Sequence, residues 1–420
     1  MLKKDMPQIQ QRVMEDRGTL QVVVLSQNNR PVENARIRIS YTGEPDETIE
    51  ELVTDSSGRT EIIDLLTPPL EYSLEPGINQ PYSEFTLNIT AEDFAPLEIS
   101  GTEVLPDTRS MQNATLRPGT AAQGTDIVIQ PNTLFGNYPP KIAESEIKPL
   151  GESGEIVLSR VVVPETIVVH DGSPSDSTAR NFYVPYRDYI KNVACCEVYA
   201  TWPESTLVAN ILAIMSFTLN RVYTEWYRNK GYDFTITSST AYDHKWIYGQ
   251  TIFENISLLV DEIFDQYLSR PDVKQPILTQ YCDGRKVTCP NWMTQWGSKS
   301  LGEQGYSPIE ILRHFYGESI YINTAEQISG IPSSWPGYNL DIGASGEKVR
   351  QLQEQLDVIA SVYTAIPRIA TDGIFGERTQ AAVREFQSIF GLPQTGIVDF
   401  RTWYKISQIY VGITRIAELT

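Results

Sequence analysis

The hydrophobic period changes along this chain of 420 residues. Apolar residues alternate near the N-terminus and recur at helical spacing near the C-terminus, so the chain reads as several units. Residues 19–25 read as a strand, closed by the turn Gln27-Asn28-Asn29-Arg30-Pro31. Alternation resumes in Ala35-Arg36-Ile37-Arg38-Ile39, with apolar side chains on one face and arginines on the other. Asp55-Ser56-Ser57-Gly58 is a second turn, and short strands follow at 85–89 and 96–99. Strands at this spacing, with turn chemistry between them, predict an all-β sandwich over 18–117 behind a flexible N-terminus at 1–17. Residues 118–153 have linker composition around Tyr138-Pro139-Pro140, with one strand at Asp126-Ile127-Val128-Ile129.

The phrases Arg30-Pro31-Val32-Glu33-Asn34-Ala35 and Thr54-Asp55-Ser56-Ser57-Gly58-Arg59-Thr60 resemble a carboxypeptidase-regulatory or prealbumin-like domain. That resemblance implies a spacer or docking module. A Lys–Asn crosslink of the kind found in some related surface domains is impossible inside it, because no lysine lies between Lys4 and Lys141.

At the other end, residues 339–420 predict a small all-α unit. Val349, Leu352, Leu356 and Ile359 keep helical spacing, the turn Asp372-Gly373-Ile374-Phe375-Gly376 follows, and Thr379, Ala382, Val383 and Phe386 share a second helical face. With Gly391-Leu392, Gly396 and Thr402-Trp403, this string resembles the three-helix peptidoglycan-binding domain of bacterial wall hydrolases. The resemblance implies peptidoglycan glycan strands as the binding partner.

Between them, 154–328 reads as an α+β unit, opened by a buried-strand pattern at 156–163 and followed by a second linker at 329–338. Pro185 starts a helix that ends on Glu197, and Trp202-Pro203-Glu204 starts a longer one carrying Leu207, Ile211, Ile214, Thr218 and Val222. Glu197 stands among Val193, Ala194, Cys195, Cys196 and Val198. Apolar surroundings disfavour the charged form of a carboxyl, so this glutamate is expected to keep its proton to higher pH and to suit general acid–base work. Glu204 is the nearest second carboxylate.

Two blocks of this unit resemble the stage II sporulation protein D (SpoIID) family, which includes the LytB-type amidase enhancers. One runs from Val184-Pro185-Tyr186-Arg187-Asp188-Tyr189-Ile190 through Glu197 to Thr201-Trp202-Pro203, the other from Met293-Thr294-Gln295-Trp296-Gly297 to His314-Phe315-Tyr316. The resemblance implies a lytic transglycosylase that cuts MurNAc–GlcNAc bonds, with Glu197 as catalytic acid. Aromatic faces and amides suit carbohydrate, so Tyr281, Gln295 and Trp296, with Trp202 of the first block, read as sugar contacts or equally as core packing of the motif helices. The chain departs from the pattern in places. An arginine expected after Trp-Pro is absent from 214–218, and the Ser-Gly-Gly loop survives only as Tyr281-Cys282-Asp283-Gly284-Arg285. The metal-binding Cys and His of some members reduce to Asp243-His244-Lys245 with no cysteine, so neither metal nor cofactor is expected.

The charge balance narrows the partners. With 34 Lys+Arg against 53 Asp+Glu the net charge is −19, which argues against nucleic acid and against an anionic membrane surface. Residues 207–215 form the longest apolar stretch, too short to span a bilayer and broken by Asn210. Lys3 and Lys4 are followed by no apolar run, so no signal peptide is read, and the expected place of action is the cell wall by an unspecified route. A wall amidase, or a protein of a spore layer or phage-tail-like particle, completes the partners that a non-catalytic adaptor or a structural role would imply. Cys195-Cys196 read as buried thiols, while Cys282 and Cys289 could equally be free or bridged.

Overall fold

The computed structural model of this chain describes residues 16–149 and 158–414. The stretch 1–15, the opening of the expected strand at 156–163 and the last residues of the C-terminal unit lie outside them. Asp16 and Arg17, read as part of a flexible N-terminus, are the first residues of a strand.

The N-terminal part comprises β1 (Asp16–Ser26), β2 (Arg36–Tyr41), β3 (Thr48–Val53), β4 (Ile63–Thr67), the single-turn α1 (Glu71–Leu74), β5 (Ser83–Thr90), β6 (Leu97–Val104), β7 (Arg109–Leu116) and β8 (Thr125–Val128). One sheet has the order β3-β2-β5-β6-β8, and in the other β1 lies between β7 and β4. Alternation does the work the sequence promised: Leu20, Val22 and Val24 of β1 share one core with Ile37, Ile39, Leu87, Ile89 and Ile99. At the turn after β3, Asp55 accepts from the amides of Ser57 and Arg59. Gly58 there has φ +72°, and a Cβ would meet the Val24 carbonyl oxygen at 2.5 Å, so only glycine fits.

The middle part contains β9 (Val162–Val163), β10 (Thr166–His170), β11 (Asn181–Pro185), α2 (Tyr186–Glu197), α3 (Glu204–Tyr223), β12 (Ile236–Thr237), β13 (Ile252–Phe253), α4 (Glu254–Ile263), β14 (Gln266–Ser269), β15 (Tyr281–Cys282), β16 (Met293–Thr294), α5 (Gln295–Glu303), α6 (Pro308–Tyr316), β17 (Tyr321–Thr324) and β18 (Gln327–Ile328). Short ladders surround α3, which runs through the core. Among the described residues α3 alone is long and apolar enough to cross a membrane, and it is buried inside this unit. Its buried amide nitrogens find internal partners: Asn210 donates to Ser298 Oγ at 2.9 Å and Asn220 to the Pro276 carbonyl at 2.7 Å. Such groups left unpaired in a core would be costly.

The C-terminal part holds α7 (Glu347–Ala360), α8 (Glu377–Ile389) and α9 (Phe400–Thr414) around Leu352, Leu356, Phe375, Phe386 and Trp403. One device occurs twice. The Gln353 amide nitrogen donates to Asp372, the Ile374 carbonyl and Thr379, while its oxygen accepts from Gly373. Gln387 repeats this with Thr395, the Ile397 carbonyl, Thr402 and Gly396. Each buried amide thereby fixes a turn to the helix that follows it.

The three parts are joined by more than chain. Strand β13 pairs with β7, Arg109 meets Glu254 at 2.8 Å, and Arg59 donates to the Ser388 carbonyl at 2.9 Å and to that of Ile389, at the C-terminal end of α8. A cation there satisfies orphan carbonyls and complements the helix dipole. The stretch read as a linker from its composition, 118–153, is bound into the fold over its described part. β8 pairs with β6, the Ile142 amide donates to the Ala241 carbonyl at 2.7 Å, and Leu278 donates to the Glu146 carbonyl at 2.8 Å. Gly and Pro signal the lack of a regular period, which is different from the lack of contacts.

Candidate functional site

Glu197 is the last residue of α2 and only 2% exposed. Its carboxylate accepts from the Lys245 backbone amide (3.1 Å) at one oxygen and from the Gln295 side-chain nitrogen (3.1 Å) at the other. Gln295 opens α5, and the same nitrogen also donates to the Glu197 backbone carbonyl at 2.8 Å. The helix end and the side chain it carries are thus held by one amide. Cys195 and Cys196 are free and buried, and burial pushes the Cys195 thiol up to about 12. Thiols so protonated are poor nucleophiles.

Glu197, Tyr281 and Gln295 line a cavity of about 40 Å³ that Lys141, Thr240 and Lys286 help to close. The Tyr281 hydroxyl lies beside Glu197; burial first, then that carboxylate's charge, drive it far above the ordinary phenol range. The Tyr281 hydroxyl faces the Glu197 carboxylate, and the Gln295 side-chain oxygen is buried without a hydrogen-bond partner. Buried polar atoms in this state mark a place where a ligand group or water is wanted. Behind Tyr281 its ring stacks on His244, 5.8 Å between centroids, and His244 Nδ1 meets the Tyr189 hydroxyl at 3.1 Å. Burial, reinforced by Lys141 and Arg221, keeps His244 neutral. The Lys141 ammonium sits 4.8 Å from the centre of the Tyr281 ring and donates to the Asp243 carbonyl. Burial lowers its pKa, and the charge of Glu197 opposes that shift.

Of the residues singled out from sequence, Glu197, Tyr281 and Gln295 meet at one cavity. Trp202 and Trp296 do not line it. Both are buried in an aromatic cluster with Tyr199, their rings 4.9 Å apart, and the Trp202 indole donates to the Ser73 carbonyl at 2.9 Å. Neighbours on a helix point about 100° apart, so Gln295 and Trp296 cannot serve the same wall. Glu204 is exposed at the start of α3 and outside the cavity.

Lys141 and Lys286 escaped the sequence reading, and His244 entered it only as the remnant of a metal-binding motif. Lys141 lies in a stretch without period, and nothing in its neighbours announces a site. Lys286 belongs to a loop closed by the Cys282–Cys289 disulfide, one of the two states left open for these cysteines. Within that loop Asp283 accepts from the amides of Lys286 (2.7 Å) and Val287 (2.9 Å). Among the described residues no group of three His, Cys, Asp or Glu side chains is placed to hold a metal.

Residues 345–406 match the peptidoglycan binding domain family. The chain carries a C-terminal peptidoglycan-binding domain. The zinc D-Ala-D-Ala carboxypeptidase of Streptomyces albus G is 43% identical over 76 residues, 18% of this chain and 28% of that protein. The chain therefore spans little more than a quarter of this curated relative. The SleB N-terminal domain is 32% identical, over 18% of this chain and 99% of its own, with a TM-score of 0.17. The Bacillus anthracis TIE protein is 13% identical, over 25% of this chain and 17% of its own, also with a TM-score of 0.17. Peptidoglycan binding is the function that the family match at 345–406 carries.

Proposed function

We propose that this chain binds peptidoglycan through its C-terminal domain and cleaves the glycan at Glu197, as a lytic transglycosylase acting on MurNAc–GlcNAc bonds. In this reading an N-terminal sandwich (18–117) supports a SpoIID-like unit (154–328), and 339–420 anchors both to the wall. Tethering raises the glycan concentration at the second site without any new contact. The observation that carries the reading is the buried Glu197 carboxyl, fixed by Lys245 and Gln295 at the wall of a cavity shared with the Tyr281 phenol and an unpartnered amide oxygen.

One carboxyl suffices for the chemistry. Glu197 in its acid form gives its proton to the glycosidic oxygen as the bond to C1 of MurNAc breaks. Positive charge then develops at C1, and the 6-hydroxyl of the same sugar closes on it to form the anhydro ring. The proton of that hydroxyl returns to Glu197. The paired carboxylates of hydrolytic glycosidases are not needed, because no water attacks. Gln295 and Lys245 orient the carboxyl, and the Tyr281 hydroxyl is available to a sugar oxygen.

The cavity volume favours a second reading. About 40 Å³ admits a water molecule and excludes a pyranose. A protein whose site stays this narrow would be a wall-binding adaptor that recruits a separate amidase. Digestion of purified sacculi separates the two. The enzyme releases anhydro-MurNAc ends that disappear in Glu197→Gln while sacculus binding persists; the adaptor releases none in either form.

A further inference from the structure

We infer that residues 133–141 are a built-in lid over Glu197 with the Lys141 ammonium as its plug, so that a glycan enters only after this loop has swung away. The inference rests on the glycan-cleaving reading for its purpose, though not for its geometry.

The loop is anchored at both ends; Leu134 is buried in the core beside the first anchor, while Asn137, Pro139 and Pro140 at the tip are exposed. At one end the Asn132 side chain donates to the Cys195 carbonyl (3.0 Å) and the Thr133 amide to that of Cys196 (2.8 Å). At the other, Ile142 donates to the Ala241 carbonyl and its own carbonyl accepts from Gln280 at 2.7 Å. Between these points the main-chain hydrogen bonds among the described residues are local ones, from Phe135 and Gly136 back to the Asn132 carbonyl. Pro139 and Pro140 have no amide to donate, so no ladder can form there.

The loop is also packed on itself. The Tyr138 hydroxyl donates to the Pro131 carbonyl at 2.6 Å, across the base of the loop. Its ring lies so close to Gly136 that a Cβ would meet it at 2.6 Å. Compact surface loops packed by their own side chains are frequently functional.

Lysines clamp the lid down. Lys286 donates to the carbonyls of Leu134, Phe135 and Gly136 at 3.0, 2.5 and 2.7 Å, and Lys245 donates to Pro131 and Tyr138. Lys141 reaches the opposite way, into the cavity wall with Glu197, over the face of Tyr281 and onto the Asp243 carbonyl. A site built to favour positive charge at a sugar C1 is one where an ammonium competes. Lys141 fills that electrostatic role from within the chain.

Carboxyl labelling tests the lid on the full-length protein. A water-soluble carbodiimide with glycinamide is applied, and Glu197 modification is read by peptide mass spectrometry with exposed Glu318 as reference. Wild-type Glu197 should label far more slowly than Glu318. Lys141→Met, and separately replacement of 134–140 by a short glycine linker, should each speed Glu197 labelling about tenfold by enlarging the open fraction. A muramyl tetrasaccharide should then protect it. Labelling of wild-type Glu197 at the Glu318 rate, or no acceleration in either variant that keeps the wild-type melting transition, overturns the lid. Faster labelling with no glycan protection and no cut sacculi leaves the lid standing and removes the glycan-cleaving reading.

Discussion

One nitrogen of Gln295 binds both the backbone carbonyl (2.8 Å) and the carboxylate (3.1 Å) of Glu197, ninety-eight residues before it. The last carbonyls of a helix have no partner within it, so this amide caps α2 as well as aiming its acid. Gln295→Leu keeps the volume and leaves both acceptors short of a donor. It should cost about 1–3 kcal/mol in urea unfolding and lower muropeptide release by about 10–100-fold. Wild-type release from a folded Gln295→Leu protein would show that the amide does not position the acid.

The route to this pair shows how far the sequence carried. Glu197 stood out in the sequence because a carboxyl closes a helix among apolar neighbours. Gln295 and Trp296 were indistinguishable there, since both suit carbohydrate and only the phase of α5 decides which faces the cavity. Lys141 could not be found at all. Its contacts with Tyr281 and Asp243 span more than a hundred residues and leave no local pattern. The strands and helices came through well, since period two and period 3.6 are written into adjacent residues.

Glu103 makes stability at the sandwich edge depend on pH. Burial first, then the nearby Glu84, raise its carboxyl to about 8, and one of its oxygens has no hydrogen-bond partner. The folded chain therefore keeps a proton that the unfolded chain loses near pH 4.5. Between those values the folded state binds more protons, so stability falls as pH rises and levels off above about 8. The total is on the order of 3–5 kcal/mol. Glu103→Gln should remove this slope from urea unfolding measured between pH 5 and 9. An unchanged slope would place the titrating group elsewhere.

Reduction of the Cys282–Cys289 bridge should act on the site more than on the fold. The cysteines are seven residues apart, so closing so short a loop constrains the unfolded chain by about 2 kcal/mol. Yet the loop carries Asp283, Lys286 and Val287 on the cavity wall, and Lys286 clamps the three carbonyls at 134–136. Cys289→Ser should melt a few degrees lower, with faster hydrogen exchange at 133–141 and 283–288. If exchange rises only within 283–288, the clamp does not hold the covering loop.

Asp261 ties the C-terminal domain to the middle one through a buried charge cluster. It accepts from Lys191 at 2.6 Å and Arg187 at 3.1 Å, and Arg187 also donates to the Tyr404 carbonyl at 2.8 Å and to Gln408 at 2.7 Å in α9. Burial alone would raise this carboxyl, but Lys191, Arg187 and Lys405 together hold it at about 2. A depressed acid stabilises fully above its unfolded value near 3.9, and that contribution disappears as pH falls through about 2; here it is about 2 kcal/mol. Asp261→Asn should cost more than this at pH 7, about 3–5 kcal/mol, because Arg187 and Lys191 then stay buried with less counter-charge. Arg187 would also lose the fixed geometry that holds α9, so proteolysis within 329–338 should accelerate at pH 7 and release the peptidoglycan-binding domain. If Asp261→Asn unfolds as a unit at wild-type urea concentration, with that segment as resistant as before, the cluster is not what joins the two domains.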